Sequence, residues 1–398
     1  MAPTDGDGPT YAFPTRSTLY LSHIEEALRS QSGVAMQDHS LPGRKPPGSA
    51  GCEGGSAAVN PLPSYGYSAS IVVVSFNTRD LLRKCLQSIL GECEQLPAGL
   101  TAEILVVDNA SSDGSADMVE SEFSASSSPV RLIRSETNLG FGVANNLALE
   151  AAEGKYLVLL NSDAFFHSGA LRLAIEHLDA NPAVGIGGAR LVGSDGAAQP
   201  SARSFPSIWH DALVLTSLSA RFPRSRIFGA PDRTWADPNQ PAEVDWLPGA
   251  FLIARREALA RVGLFDPDFF LYYEEVDLCR RVKTAGFPIL YWPDIVVTHL
   301  GGESSRQLDS HKLSGHASEV VLWRMRSTFL YYRKHHGWKA RLALWLELAL
   351  FSLSRLRNSR NPDPARRQIA EDAALQKHLL RQAWRDTNGG RVSPPSPW

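Results

Sequence analysis

The chain has 398 residues, of which 43% are hydrophobic and 21% are charged, and its 40 basic and 42 acidic side chains leave a net charge of −2. This composition is typical of a globular protein and excludes a chain that is disordered throughout. The near-neutral charge provides no field that would attract nucleic acid, so no partner of that class is expected. The four cysteines form no CxxC pair, which argues against a zinc knuckle or a disulfide scaffold and favours a reducing compartment.

Residues 1–67 are predicted to form a flexible leader, because they are rich in Gly, Pro and Ser and have no apolar period from which a core could be built. The first ten residues, MAPTDGDGPT, carry acids and prolines where a secretory signal needs a basic patch and then an apolar run. We therefore expect a cytoplasmic protein.

From residue 68 onwards the pattern predicts alternating strands and helices. Short runs of β-branched and aliphatic residues predict buried strands at 71–74, 104–107, 130–133 and 156–160. Apolar residues at helical spacing predict helices between these strands, at 81–90, 113–123 and 143–152. This alternation indicates right-handed crossovers and an α/β fold with an open, mostly parallel sheet.

Ligands of such sheets bind beyond the carboxyl ends of the strands, so the residues that follow each strand are the candidate site. The first strand is followed by SFNTRD, which contains no glycine, and the chain has no GxxxxGK[ST] loop. NAD and FAD are therefore disfavoured, and a bound nucleotide would need a metal ion to neutralise its phosphates. Asp163 closely follows a buried strand and provides a hard oxygen ligand. His299 ends a further apolar run and is either a nitrogen ligand or a structural histidine.

Three carboxylates, those of Glu274, Glu275 and Asp277, stand at the start of one predicted helix. The helix dipole and the unpaired N–H groups of the first turn stabilise acids there, which accounts for one or two of them. Two adjacent acids that follow aromatic residues also suit a general base, because desolvation and like-charge crowding raise the pKa of one of them.

Seven segments in order resemble the family 2 glycosyltransferases with the GT-A fold, and within them the rhamnosyltransferase-like branch. They are SIVVVSFNTRDLLRKCLQSI, EILVVDNASSDGS, NLGFGVANN, LVLLNSDA, LPGAFLIARREAL, GLFDPDFFLYYEEVDLCRRVKTAGF and VVTHLGG. The resemblance implies a Rossmann-like sheet with helices on both faces and a catalytic domain at 68–305. It also implies an inverting enzyme that moves a sugar, with rhamnose as the first expectation, from a dTDP- or UDP-sugar to a hydroxyl of a glycan or lipid-linked acceptor. The expected pathway is cell-surface polysaccharide synthesis.

The resemblance also assigns roles to single residues. The donor contacts would be Ser75, Asn77, Asp108, Asn138, Gly140, Asn145, Asn161, Gly249 and Ala250. A divalent metal, Mg²⁺ or Mn²⁺, would be held by Asp163 and His299, and the catalytic acids would be Glu275 as the base, Glu274 and the supporting Asp277.

Two positions depart from the family pattern. Asn161 stands where the DxD metal motif has its first acid, which leaves less negative charge at the metal. The pair Glu274–Glu275 stands where Glu-Asp is common, so the choice of base between the two acids stays open, with Glu275 favoured.

Two other functions remain open at this stage. A nucleotidyltransferase would also use an acidic metal site, although it normally has a glycine-rich basic loop after its first strand. A catalytically silent sugar-nucleotide-binding protein is kept open by Asn161 and Glu275, and donor hydrolysis would exclude it.

Residues 306–360 are predicted to form a helical, basic and amphipathic extension, followed by a polar tail at 361–398. Between 324 and 360 the chain has nine basic residues and one acid, Glu347. Apolar residues recur there at steps of three or four, at Trp338, Leu342, Trp345, Ala349, Leu353 and Leu356. Packing against the catalytic domain, a dimer contact and peripheral contact with the anionic inner face of the plasma membrane are the alternatives.

Overall fold

The computed structural model describes residues 65–124, 128–301 and 315–395. Most of the predicted leader therefore lies outside the described residues. The described chain forms one nine-stranded sheet with helices on both of its faces, and a group of C-terminal helices.

The strands are β1 (Tyr67–Ser75), β2 (Ala102–Asp108), β3 (Val130–Arg134), β4 (Gly154–Asn161), β5 (Ala164–Phe166), β6 (Ile186–Val192), β7 (Ala242–Glu243), β8 (Phe251–Arg255) and β9 (Ile289–His299). The helices of the sheet region are α1 (Arg79–Glu94), α2 (Ser115–Phe123), α3 (Gly140–Ala151), α4 (Ala170–Ala180), α5 (Ile208–Leu215), α6 (Leu218–Arg221), α7 (Arg256–Val262) and α8 (Glu274–Thr284). Three helices follow, α9 (Gly315–His336), α10 (Lys339–Asn358) and α11 (Pro364–Asp386).

The strands lie in the order β3-β2-β1-β4-β8-β6-β9-β5, and β7 pairs with β9. β1 is parallel to both β2 and β4, whereas β8 is antiparallel to β4 and β6. β5 and β7 also run against their neighbour β9. The predicted α/β fold with a mostly parallel sheet is thus confirmed, and each of the predicted strands and helices between residues 71 and 160 is present.

The sheet is covered on both faces because its central strands are apolar on both sides. Along β1, Ile71 and Val73 pack into one hydrophobic cluster with α1 and α4, while Val72 packs into the other with α3 and α8. A strand whose successive side chains point to opposite faces produces this division when both faces are buried.

The C-terminal helices are tied to the loop that precedes α8. The Ser327 hydroxyl on α9 donates to the Leu271 carbonyl oxygen at 2.8 Å. Residues 361–398, expected to be a polar tail, contain the long helix α11, whose Leu380 and Ala383 are buried against α9. The buried face of α11 is built largely of alanines, so its apolar period is weak in the sequence. Its start does carry local signals, because Asp363 accepts a hydrogen bond from the Ala365 N–H and proline occupies the first turn.

Candidate active site

Three polar residues end neighbouring strands at the same level of the sheet. Ser75 pairs with Asp108 in the β1–β2 ladder, and the adjacent Val74 pairs with Asn161 in the β1–β4 ladder. In the order β3-β2-β1-β4, strands β2 and β3 lie on one side of β1, and β4 lies on the other side. Ligands of α/β sheets bind at such a switch point of the strand order. The fold thus brings these three predicted donor residues to one edge.

The loops that follow β1, β2 and β4 are held together by short hydrogen bonds. The Asn77 side-chain oxygen accepts from the Ser112 N–H at 2.6 Å. The Thr78 hydroxyl lies 3.0 Å from the Ser75 hydroxyl and donates to the Ser162 hydroxyl at 2.9 Å. Asn77 has a φ of 54°, which belongs to the left-handed region that asparagine tolerates better than most residues. The edge is therefore pre-organised by small polar side chains.

Asp108 is the most deeply buried acid of this edge, with 4% of its surface exposed. Its Oδ2 accepts from the Ser111 N–H at 3.1 Å, while its Oδ1 is buried and has no hydrogen-bond partner among the described residues. Burial raises the pKa of Asp108, and the hydrogen bonds from Ser111 partly oppose this rise. A buried acceptor of this kind is costly unless a ligand donates to it.

Asn138 and Gly140 shape the beginning of α3. The Asn138 Oδ1 accepts from the Asn109 side chain and from the Gly140 N–H, both at 2.9 Å. Gly140 has a φ of 76°, and a Cβ there would lie 2.1 Å from the Phe270 carbonyl oxygen, so only glycine fits. These residues hold α3 against the loop that leads to the acid pair. Asn109 was not identified from the sequence, although it directly follows Asp108.

The remaining predicted donor contacts have different surroundings. The Asn145 amide donates to the Phe141 carbonyl oxygen within α3 at 2.8 Å, and Asn145 is 1% exposed. A Cβ on Gly249 would make only an ordinary contact with the Phe141 ring, so the described residues do not require glycine there. Ala250 is buried, and its carbonyl oxygen accepts from the Asn161 N–H at 3.2 Å.

The pairing of β5 with β9 brings Asp163 and His299 together. Ala164 lies opposite His299 in this ladder, and the Asp163 Oδ2 lies 3.5 Å from the His299 Nε2. Gln199 contacts His299 at two points. The Gln199 Oε1 lies 3.0 Å from the His299 Nδ1, and the Gln199 Nε2 donates to the His299 carbonyl oxygen at 2.8 Å. Gln199 was not identified from the sequence, because it is 100 residues away from His299.

This corner fits a divalent metal with few protein ligands. An acceptor at Nδ1 favours the tautomer whose Nε2 lone pair faces the Asp163 carboxylate, as in histidines that bind metals. A Cβ on Gly301 would lie 2.8 Å from Nε2, so glycine keeps room beside both ligand atoms. Within residues 65–124, 128–301 and 315–395, no group of three or more His, Cys, Asp and Glu side chains is placed to hold a metal. Further ligands would then have to come from substrate phosphates, as is usual for Mg²⁺.

The acid pair begins α8 after a strained turn. Tyr272 and Tyr273 have φ values of 67° and 69°, which are rare for bulky residues and typical of functional sites. In the described part of the chain, the Oε2 atoms of Glu274 and Glu275 are buried without a hydrogen-bond partner. Burial raises the pKa of Glu274 well above its ordinary value, and the charge of Glu275 raises it further. Burial also raises the pKa of Glu275, but backbone hydrogen bonds and the charge of Arg203 oppose that rise.

Arg203 is a third residue that the sequence did not indicate. It lies on the segment between β6 and β7, where its guanidinium packs 5.0 Å from the centre of the Trp246 ring. Its positive charge favours the ionised form of Glu275 over that of Glu274. The surroundings of Glu275 therefore favour its ionised form more than those of Glu274 do.

Asp277 differs from the pair because three hydrogen-bond donors surround its fully buried carboxylate. Its carboxylate contacts Arg281 Nε, Lys334 Nζ and His335 Nε2, each at 2.7 Å. Burial alone would raise the pKa of Asp277, but hydrogen bonds from His335, Lys334 and Arg281 lower it to about 2. This residue joins α8 to α9 and has no open side for a substrate. Its surroundings indicate a positioning role for the helix that carries the acid pair.

A polar edge at the switch point of an α/β sheet, a corner where Asp163 meets His299, and an acid pair at the start of one helix are compatible with a glycosyltransferase. Residues 70–236 match the sequence profile of Glycosyl transferase family 2. The chain therefore contains a family 2 glycosyltransferase domain, and the predicted resemblance is confirmed.

Two named relatives align with this chain over most of their own length. The N-acetylglucosaminyl-diphospho-decaprenol L-rhamnosyltransferase of Mycobacterium tuberculosis is 28% identical over 302 residues, which make up 73% of this chain and 94% of that protein. Rhamnosyltransferase WbbL of Escherichia coli is 24% identical over 273 residues, or 66% of this chain and 91% of that protein. Among solved structures, the mannosyltransferase PcManGT of Pyrobaculum calidifontis in complex with GDP-Man and Mn2+ aligns with a TM-score of 0.48 and 19% identity over 84% of this chain and 90% of that chain.

No helix in the described parts of the chain is both long enough and apolar enough to cross a membrane.

Proposed function

We propose that this glycosyltransferase moves a sugar, rhamnose in the first instance, from a dTDP- or UDP-sugar to a hydroxyl of a lipid-linked or glycan acceptor, with inversion at the anomeric carbon. The observation that carries the proposal is the acid pair Glu274–Glu275 at the start of α8, where burial raises the pKa of both carboxyls and the charge of Glu275 raises that of Glu274 further. The names of the two rhamnosyltransferase relatives support the choice of sugar and acceptor. The proposed catalytic domain is residues 68–305.

On the donor side, the unpartnered Asp108 Oδ1 supports a role as acceptor for an N–H or O–H group of the nucleoside. Asn161 supports a similar role, because its buried Oδ1 has no partner in the described part of the chain. Ser75 and Asn77 line the same edge. Asn138 and Gly140 would form the base of the donor site, because they shape the start of α3. Gly249 and Ala250 would form the wall towards the acceptor.

Asp163 and His299 would hold the proposed Mg²⁺ or Mn²⁺. When bound, the metal would act as a Lewis acid that stabilises negative charge on the departing diphosphate. Asn161 in place of an acid makes this corner less negative, so we expect weaker metal binding than a site with two aspartates would have.

Glu275 is proposed as the base. Its carboxylate would take the proton from the acceptor hydroxyl while that oxygen attacks the anomeric carbon, which is a single displacement with inversion. Glu274 would stay protonated, so that the pair carries a single negative charge. Ionising both of two adjacent buried carboxyls would cost a large electrostatic free energy. Arg203 would favour the ionised form of Glu275.

The test is nucleotide release from a panel of UDP-, dTDP- and GDP-sugars by the full chain, with and without Mg²⁺ or Mn²⁺, and with membrane extract as a source of acceptor. We expect release from one donor that depends on the metal. The Asp163→Ala variant should need far more metal for the same rate. The Asp195→Ala variant is the matched control, because it removes an exposed aspartate from the turn after β6.

Release with no metal response would remove the metal role of Asp163. No release from any donor would instead support a silent sugar-nucleotide-binding protein. Formation of a sugar nucleotide from a sugar phosphate and a nucleoside triphosphate would support a nucleotidyltransferase.

A further inference from the structure

Helix α10 carries a continuous row of large apolar side chains on the surface. Trp338, just before the helix, and four residues of the helix are exposed by 47–74%. This row, here called the tryptophan stripe, consists of Trp338, Leu342, Trp345, Leu353 and Leu356. Ala349, which is also exposed, lies between its two halves. At 1.5 Å per residue the stripe is about 27 Å long.

The stripe is not the face by which α10 packs against the protein. Ala340, Ala343 and Leu344 lie on the other side of the helix and are buried. Leu344 packs into the hydrophobic cluster formed with α9 and α11. The sequence left open whether this helix packs or faces outwards, and the structure gives each role to a different face.

The charges of α10 that flank the stripe all have one sign. Between residues 338 and 360 the chain has five basic residues and one acid, in a protein with a net charge of −2. All five cations are exposed: Lys339, Arg341, Arg355, Arg357 and Arg360. With 3.6 residues per turn, Arg341 and Arg355 flank one side of the stripe, and Lys339 and Arg357 flank the other.

The single acid does not offset these cations at the surface. Glu347 lines an internal cavity together with Asp211, Arg324 and Gln376. Tyr273, which directly precedes the acid pair, lines the same cavity. The inner side of α10 is therefore only one layer of side chains away from the start of α8.

A second copy of this chain is a poor occupant for the stripe, because a symmetric contact would bring the two sets of cations together. A flat apolar row flanked by arginines on both sides matches the headgroup region of a negatively charged bilayer, where tryptophan and leucine enter the acyl boundary and cations meet lipid phosphates.

We propose that the tryptophan stripe and its flanking cations dock on the surface of an anionic lipid bilayer, with α10 lying in the plane of the membrane. This proposal does not rest on the proposed function, because docking requires neither donor nor acceptor. It does place the acid pair near a membrane surface.

The test is flotation of the full chain with vesicles of phosphatidylcholine alone or mixed with phosphatidylglycerol, at low and at high salt. We expect binding to the mixed vesicles, weakened by salt. The double variant Arg355→Glu/Arg357→Glu should reduce the partition coefficient at least about tenfold, since each cation near an anionic surface contributes about a factor of five. Leu353→Ser should also reduce it, because the stripe loses apolar area.

Two control variants are matched to these changes. Ile227→Ser removes an apolar side chain that is 61% exposed, the same fraction as Leu353, but from the loop between α6 and β7. Lys84→Glu reverses an exposed charge on α1, in the other half of the chain. Both controls should bind vesicles like the wild type, and all variants should keep the wild-type melting temperature.

Three results would overturn the proposal. One is a full chain that does not float with the mixed vesicles. Another is an equal loss of binding in the stripe variants and in the controls. The third is a concentration-dependent dimer that Leu353→Ser disrupts in the absence of vesicle binding, which would assign the stripe to a second copy of the chain.

Discussion

The two sides of the candidate site are built in different ways. At the donor edge, small neutral side chains hydrogen-bond to one another over short distances, as Thr78 does with Ser162. On the acid side, charged groups are buried, and their states depend on residues that are distant in the chain: Arg203 for Glu275, and His335 for Asp277. The comparison supports the proposal that the edge binds the donor, and that the acid side, where burial raises the pKa of two carboxyls, takes part in the reaction.

The sharpest test of this comparison removes the proposed base. Glu275→Gln should lower turnover by about 10²- to 10⁴-fold while the donor still binds, because the amide keeps the shape but cannot take a proton. Glu274→Gln should have a smaller effect, since the raised pKa of Glu274 favours its protonated carboxyl, which an amide resembles. Turnover and donor KM are measured for both variants. A larger loss in Glu274→Gln would exchange the two roles.

The pH profile of the wild type belongs to the same test. Because the pKa of Glu275 is raised from its ordinary 4.5, turnover should fall as the pH drops through that higher pKa and the base becomes protonated. The residual activity of Glu275→Gln should lack this acid limb.

The next largest effect is expected at Asp277, and it should appear in stability. Asp277→Asn removes the buried carboxylate that accepts from Arg281, Lys334 and His335, and it should lower the free energy of unfolding by about 3–5 kcal/mol. The folded-state pKa of Asp277 is lowered to about 2, so its stabilisation is present above the ordinary pKa of 3.8 and is lost as the pH falls towards 2. Urea unfolding of wild type and variant should therefore converge over that range.

Asp268→Asn is the control for this prediction. Asp268 is an exposed acid in the loop before α8, and its replacement should change stability much less. Equal effects of the two substitutions would mean that the contacts of Asp277 with α9 do not hold the acid side together.

A smaller effect is expected at the metal corner. Gln199→Ala should raise the metal concentration needed for half-maximal activity by about 10- to 100-fold, because His299 loses the partner that fixes its tautomer. Gln199→Glu retains an acceptor at Nδ1 and should restore most of the metal response. A metal response that is the same in all three proteins would show that Gln199 only supports the backbone near His299.

The smallest effect is a gain in stability at Glu274. Its folded-state pKa is raised, so the free energy of unfolding falls as the pH rises above the ordinary 4.5 and the group ionises in the unfolded chain. Glu274→Gln does not titrate and should melt a few degrees higher than the wild type at pH 8, about 3 °C per kcal/mol of penalty removed. The difference should shrink towards pH 4.5. A variant that melts lower at pH 8 would mean that the charge of Glu274 is compensated in the folded state.

Much of the fold was predictable because its signals are local. The strands at 71–74 and 156–160 are continuous apolar runs, and the helix between residues 81 and 90 has a clear period. The start of α8 was also predictable, since acids cluster in the first turn of a helix for electrostatic reasons. Helix α11 was missed because its buried face consists mainly of alanines, as at Ala370, Ala373 and Ala383.

The sequence by itself determined the strands and helices between residues 71 and 160 and the acid pair, and it named Asp163 and His299 separately. Only the tertiary structure decided that β5 pairs with β9 and brings these two together, and that Gln199 orients the histidine. It also decided which side of α10 is buried. Local periodicity involves residues that are close in the sequence, so it can be read from the sequence. Strand pairing and the burial of charges depend on residues that are distant in the sequence and come into contact only in the folded protein.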